Sequence, residues 1–162
     1  MKKITLLFCT LFVLAIANGL KAQDYQSAIG LRLGYPLSAS YKFFVKDPGA
    51  IELYAGFRGY TFYSWFNIGG MYQHHFPIES VDGLSWYVGG GVSALFYSYK
   101  TGFGPAGDNF GLGINGALGL DYKFADIPLN LSVDWLPTVY VTGYLSGFGG
   151  GYGALAARYV LN

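Results

Sequence analysis

From Phe110 to Phe124 the chain alternates with a period of two. The even positions are Phe110, Leu112, Ile114, Gly116, Leu118, Leu120, Tyr122 and Phe124, and the odd ones are Gly111, Gly113, Asn115, Ala117, Gly119, Asp121 and Lys123. Successive side chains of a β-strand point to opposite faces, so this segment reads as a strand with one large apolar face and one small or polar face. The same reading recurs along the chain. Ile29, Leu31 and Leu33 oppose Ala28, Gly30 and Arg32 within Gln26 to Gly34, and Ala39, Tyr41 and Phe43 oppose Ser38, Ser40 and Lys42 within Leu37 to Val45. Ile51, Leu53 and Phe57 oppose Glu52, Gly56 and Arg58 within Ala50 to Tyr60, and Phe66, Ile68 and Tyr72 oppose Asn67, Gly69 and Gln73 within Trp65 to Phe76. Trp86, Val88 and Val92 oppose Gly89, Gly91 and Ser93 within Leu84 to Tyr97. Leu131, Val133 and Trp135 oppose Asn130, Ser132 and Asp134 within Leu129 to Tyr140, and Leu155, Tyr159 and Leu161 oppose Ala156 and Arg158 within Gly151 to Leu161. Eight strands are predicted. Helical spacing is absent, and Gly is scattered throughout.

The connections fit hairpins. Lys46 to Gly49, Pro77 to Gly83 and Ala125 to Pro128 carry turn residues. They alternate with Gly34 to Pro36, Arg58 to Ser64, and two longer Gly-rich loops at Ser98 to Asn109 and Thr142 to Gly150. The pattern fits either a soluble barrel with its apolar face inward or a membrane barrel with that face outward. Side-chain size decides between them. An eight-stranded barrel has an interior just wide enough for side chains to fill, so Trp, Phe, Leu and Ile on most positions of one face cannot all point inward. The expected fold is therefore all-β, an eight-stranded antiparallel up-and-down transmembrane barrel. Its strands must close, because an open edge in lipid leaves backbone groups unpaired.

Charge agrees with this inversion. Only 12% of residues are charged, against about 25% in ordinary soluble domains, while 19% are aromatic. Arg32, Lys42, Glu52, Arg58, Asp121, Lys123, Asp134 and Arg158 all fall on the small-residue face, and the remaining charges after the leader fall in turns, loops or the N-terminal tail. None has to face hydrocarbon, where a Lys or Arg costs about 2–4 kcal/mol at mid-depth.

The first residues read as a secretory signal over 1–22, followed by a barrel domain over 23–162. Lys2 and Lys3 precede an apolar stretch from Ile4 to Ala17, and a small-residue cleavage region follows, with cleavage expected after Ala22 and Gly19 as a second candidate. The single cysteine, Cys9, lies inside this leader, so the mature chain has no thiol. Loss of Lys2, Lys3 and Lys21 leaves a net charge of about −2 and no basic patch, which argues against nucleic acid as a partner.

The stretches GLRLGYPLSASYKFF, GLDYKFADIPLNLSVDWLP and the closing ARYVLN resemble the small outer-membrane β-barrel proteins of Gram-negative bacteria, particularly those common in Bacteroidota. The architecture is similar to that of OmpA/OmpX-type barrels. The resemblance implies a place in the cell outer membrane as a monomer, with both termini in the periplasm and outer-membrane lipid and lipopolysaccharide as surroundings. It also implies assembly by the barrel-assembly machinery, which reads an alternating last strand. Leu155, Ala157, Tyr159 and Leu161 match that pattern, whereas Asn162 stands where a terminal aromatic is usual. Aromatic girdles are expected from Trp86, Tyr122, Phe124, Trp135 and Tyr159, with Trp65 at the outer interface.

On the inward face the expected polar network comprises Arg32, Lys42, Glu52, Arg58, His75, Asp121, Asn130, Asp134 and Arg158. Hairpin parity suggests Lys42 opposite Glu52, Asp121 opposite Asn130, Glu52 near Gln73 or His75, and Arg158 meeting Asp134. Such a network acts as a structural plug, since eight strands leave no room for a channel; a gated pore or proton path is the alternative. His74 and His75 point to opposite faces of one strand, so no metal site is expected. Barrels of this size include lipid acyltransferases and deacylases that use Ser, His and a carboxylate. Here Ser64 and His74 lie roughly 30 Å apart along one strand. Ser85 falls near His74 or His75, and no triad is expected. No catalytic residue and no cofactor are assigned. The expected role is non-enzymatic, in envelope structure or surface interaction through the long loops, with a lipid-modifying enzyme or a soluble lipocalin-like carrier as alternatives.

Overall fold

The computed structural model describes residues 25–99, 110–142 and 146–161. The expected signal segment 1–22, with residues 23 and 24, residues 100–109, residues 143–145 and the terminal Asn162 lie outside the described residues. Eight strands form one closed barrel in chain order: β1 (Ser27–Gly34), β2 (Leu37–Lys46), β3 (Gly49–Gly59), β4 (Tyr63–Pro77), β5 (Leu84–Tyr99), β6 (Phe110–Lys123), β7 (Leu129–Tyr140) and β8 (Gly147–Val160). Every neighbouring pair is antiparallel, and β1 pairs with β8 to close the sheet. The predicted strands all form. Most boundaries shift by one or two residues, as where β4 begins at Tyr63 and β5 runs to Tyr99. The largest shift is at β8, which begins at Gly147, so the last residues of the expected Thr142 to Gly150 loop are strand.

The turn chemistry accounts for the end of the barrel that carries both termini. At the β4–β5 turn Ile78 N–H donates to the Leu84 carbonyl at 2.9 Å and Val81 N–H to the Ile78 carbonyl at 3.0 Å. Gly83 closes this turn with φ 78°, a left-handed conformation that suits glycine. Its carbonyl accepts from Lys123 N–H at 2.9 Å, tying the turn to β6. At the β6–β7 turn Phe124 N–H donates to Leu129 O at 3.0 Å and Leu129 N–H to Ile127 O at 2.7 Å.

Exposure alternates along the strands in the inverted sense. Ile29, Leu31 and Leu33 on β1 are 50–54% exposed, while Lys42, Glu52 and Arg158 are at most 1% exposed. A register shift between Pro137 and Val139 on β7 places an extra residue on β8, so parity flips there. Tyr152 faces the lumen, whereas Phe148 beyond the shift is outward and exposed.

Two expectations about the faces require correction. Trp65 is not an outer-interface anchor. It occupies an inward position of β4, is 5% exposed and packs in the lumen with Leu95 and Tyr140. The outward aromatic row at that level is Phe57, Phe66, Phe96 and Phe110, consecutive register partners across β3 to β6. Second, the inward face is not uniformly small: Tyr87, Leu95, Leu136 and Tyr140 are buried in it. Glycines make the room. A Cβ at Gly119 would lie 2.7 Å from the Tyr87 ring, and one at Gly69 would lie 2.4 Å from the Tyr54 ring. In each case the tyrosine and the glycine are direct cross-strand partners, so a large side chain lies over a missing one.

The other expected girdle residues are outward. Trp86 stacks on Phe76 at 4.3 Å, and Tyr122 meets Phe124 edge-on at 4.7 Å, both at the terminal end. Tyr159 is outward near the end of β8. Trp135 is outward but halfway along β7, between the two aromatic bands rather than in either.

Candidate functional site

The lumen divides into two halves. The half nearer the termini holds three cations, Arg32, Lys42 and Arg158, and three carboxylates, Glu52, Asp121 and Asp134, all buried. Desolvating an ion is expensive, and only near-complete pairing offsets it. The pairing is extensive. Arg32 donates from Nη1 to Glu52 Oε1 at 2.8 Å and from Nη2 to Asp134 Oδ1 at 2.7 Å. Arg158 Nη2 pairs with the same Glu52 oxygen, its Nε donates to Ser40 at 2.8 Å, and its Nη1 donates to Ser132 at 2.9 Å and Asn130 at 3.1 Å. Lys42 Nζ binds Asp121 Oδ1 at 2.8 Å and lies 4.9 Å from the Tyr87 ring centroid.

Neutral side chains join these pairs into one chain. Asn130 donates to Asp121 at 2.8 Å while its oxygen accepts from Arg158, bridging the two clusters. Gln73 donates to Glu52 Oε2 at 2.7 Å, Tyr87 to Asp134 Oδ2 at 2.6 Å, and Tyr25 to Asp121 Oδ2 at 3.2 Å. His75 lies at the terminal end of this network. Its Nδ1 is 3.0 Å from Ser85 Oγ, and its ring stacks on Tyr87 and tilts against Phe44, each at 5.0 Å.

The predicted members are mostly brought together, with different partners. Lys42 and Glu52 are direct register neighbours, yet Lys42 pairs with Asp121 across the lumen. Arg158 meets Glu52, and Asp134 meets Arg32, in place of the expected Arg158–Asp134 contact. Asp121 is level with Ser132 rather than Asn130, and Asn130 reaches it diagonally. Of the two suggested neighbours of Glu52, Gln73 makes the bond. Arg58 is on the inward face but stands apart from the network, half-exposed at the far end. Tyr25, Tyr87, Ser40 and Ser132 were not singled out. Strand parity alone marks Tyr87, Ser40 and Ser132 as inward, whereas Tyr25 precedes β1 and carries no such signal.

Beyond Arg32 the next layer of the lumen is neutral. Ser93 donates to Asn115 Oδ1 at 2.9 Å, and Asn115 Nδ2 donates to Thr138 at 3.1 Å and Tyr54 at 3.3 Å. Above this layer lies an aromatic vestibule. A cavity of about 230 Å³ is walled by Tyr35, Tyr63, Trp65, Leu95, Tyr97, Tyr99 and Tyr152. Tyr35 stacks on Tyr152 at 5.8 Å, and Tyr60 on Tyr63 at 4.6 Å. The Arg58 guanidinium sits 4.3 Å from the Tyr35 ring centroid, and its Nε donates to Tyr60 Oη at 2.8 Å. Tyr35 and Tyr60 hydrogen-bond through their hydroxyls. That bond, with Tyr60 accepting, pushes the Tyr35 phenol up to about 12 and lowers Tyr60, to which Arg58 also contributes.

No known family model matches the chain, and no curated protein matches it. Among solved structures, the crystal structure of Neisserial surface protein A is similar, with a TM-score of 0.55 at 13% sequence identity. The match covers 83% of this chain and 93% of the Neisserial one. The likeness is one of fold: a closed antiparallel eight-stranded barrel.

Proposed function

We propose that the chain is a monomeric, non-enzymatic integral protein of the outer membrane, of the small Bacteroidota-type barrels with OmpA/OmpX-like architecture. Its ion-paired lumen serves as a plug, and its role is envelope-structural or surface-interacting through the loops at the far end. The observation that carries this reading is the inverted barrel. Soluble monomers rarely expose a contiguous apolar patch beyond a few hundred Å². Here Leu31, Leu53, Ile68, Val92, Ile114, Val133 and Leu155, spread over seven strands, are each 48–64% exposed, while six charges are buried inside. Lipid is the solvent that suits such an exterior, with lipopolysaccharide as the outer-leaflet neighbour. The similar Neisserial protein is named for the surface, which supports the same placement here. Outward Leu155, Tyr159 and Leu161 on and after the last strand supply the alternating signal that barrel-assembly machinery would read. By analogy with such barrels, both termini and the short turns face the periplasm.

The test is fractionation followed by gel migration with and without boiling. A membrane-fraction protein that needs detergent for release and shifts on boiling is expected; release by salt alone as a water-soluble protein would return the carrier reading. A lipid-modifying enzyme is the second reading, and Ser85 beside His75 is the place it would need. Two features weigh against it. His75 turns Nδ1, not Nε2, to the serine, and Asp121 is engaged by Lys42, Tyr25 and Asn130. An altered lipid mass spectrum in a deletion strain, restored by the native chain but not by Ser85→Ala, would favour the enzyme.

A further inference from the structure

We infer that the aromatic vestibule at the far end of the lumen is a binding site for an acidic saccharide, taking the pyranose end of a soluble glycan that enters along the barrel axis. Three independent features converge on that chemistry.

The first is the wall. Tyr35, Tyr63, Trp65, Tyr97 and Tyr152 present aromatic surface to a cavity of about 230 Å³, room for one hexose ring. The faces of aromatic rings are electron-rich, and the axial C–H groups of a pyranose carry slight positive charge, so the two stack. Tyrosines also bring hydroxyls to the edges of those stacks, which a purely apolar ligand would leave unused.

The second is the set of unpartnered polar atoms beside the space. Tyr97 Oη is buried without a hydrogen-bond partner, and its ring lines the cavity. Asn67, 8% exposed, leaves Oδ1 unpartnered where it lines a smaller void of about 40 Å³. Tyr35 and Tyr152 line both spaces. A buried polar atom without a partner is costly, and a ligand rich in hydroxyls supplies donors where a flat hydrocarbon does not. Gln73 Oε1 and His75 Nε2 are also unpartnered, but among the packed side chains of the ion-paired half.

The third is charge. Among the described residues, Arg58 is the only charged one at the far end, on the lumen face of β3, directly across from Trp65 in register. It makes no ion pair with a described carboxylate and is held against Tyr60 and against Tyr35, whose ring belongs to the cavity wall. A planar guanidinium fixed in this way suits bidentate recognition of a carboxylate. With no described acid nearby, an anionic sugar is favoured over a cationic ligand.

The inference extends the surface-interaction role, and its physiological sense rests on the far end facing outward. Its test does not. Trp86→Phe and Trp135→Phe together leave Trp65 as the only tryptophan of the barrel, reporting from the cavity wall. The purified barrel in detergent, shown to be folded by its heat-modifiable migration, is titrated with glucuronate, glucose, inorganic phosphate and benzoate. A saturable change in Trp65 emission with glucuronate is expected, with a dissociation constant of about 1 mM for a ligand of this size. Glucose should bind roughly tenfold more weakly, and Arg58→Gln should erase that preference. Tyr97→Phe, which removes one hydroxyl, should weaken both sugars while leaving the acid preference in place. No saturable response to glucuronate from a folded barrel would overturn the site while leaving the membrane reading intact. An equal response to phosphate or benzoate, or an acid preference that survives Arg58→Gln, would overturn the saccharide assignment.

Discussion

The two halves of the lumen solve the same problem in different ways. Both must fill a space enclosed by eight strands. The half near the termini does so with full charges, three of each sign, and its principal side chains are almost completely buried: Lys42, Glu52, Gln73 and Asn130 are 0% exposed. The far half uses hydroxyls, amides and tyrosines, holds one half-exposed arginine among its described residues, and leaves a cavity. The difference teaches where the barrel is fixed and where it can receive something. A charge network pinned from β1, β2, β3, β6, β7 and β8 has few alternative arrangements, because each departure strands a buried ion. Stacked tyrosines tolerate a guest, because their contacts are broad and weakly directional.

The largest effect expected from this contrast is in the charged half. Glu52→Gln removes the carboxylate shared by Arg32 and Arg158, and unfolding in urea from lipid vesicles should show a loss of about 3–5 kcal/mol. A loss no greater than that of an exposed substitution would mean that the network does not hold the barrel. Next in size is a coupling. Lys42→Met alone should destabilise more than Lys42→Met combined with Asp121→Asn, since the double change removes both members of one buried pair. The corresponding cycle of Lys42→Met with Glu52→Gln should show weaker coupling, because the two residues are level on adjacent strands but not bonded. Equal coupling in the two cycles would argue for hairpin neighbours over cross-lumen partners. The smallest effect belongs to the aromatic half. Tyr97→Phe removes a hydroxyl that has no partner, so stability should change by less than about 1 kcal/mol, with either sign consistent.

Much of the fold was legible because the strand period is local. Each residue's face follows from its neighbours in sequence, so Arg32, Lys42, Glu52, Asp121, Asp134 and Arg158 could be placed inward without knowing what lay opposite. The partners were not legible for a geometric reason. In a narrow barrel the side chains of distant strands meet across the axis, and which levels meet depends on strand stagger. Hairpin parity identifies only the adjacent strand. It found the Lys42–Glu52 register and missed the Lys42–Asp121 bond, which joins β2 to β6. It also set Asp121 two residues away from its true level on β7. Trp65 shows a different failure. Residue type suggested a membrane-interface anchor, whereas its odd position, shared with inward Asn67 and Gln73, already placed it in the lumen. Tyr87 was obscured by the expectation of small inward residues; only the pairing with Gly119 shows how a large ring fits there.

The most direct measurement of the inverted barrel uses the same single-tryptophan logic on both faces. One variant keeps only Trp135, outward at mid-strand, and another keeps only Trp65, buried in the lumen. Each is reconstituted in bilayers whose acyl chains carry bromine, a contact quencher. Trp135 emission should be strongly quenched and Trp65 emission nearly unaffected. Quenching of Trp65 as strong as that of Trp135, or of neither in a folded protein associated with the bilayer, would contradict a barrel with its apolar face in lipid and its charges within.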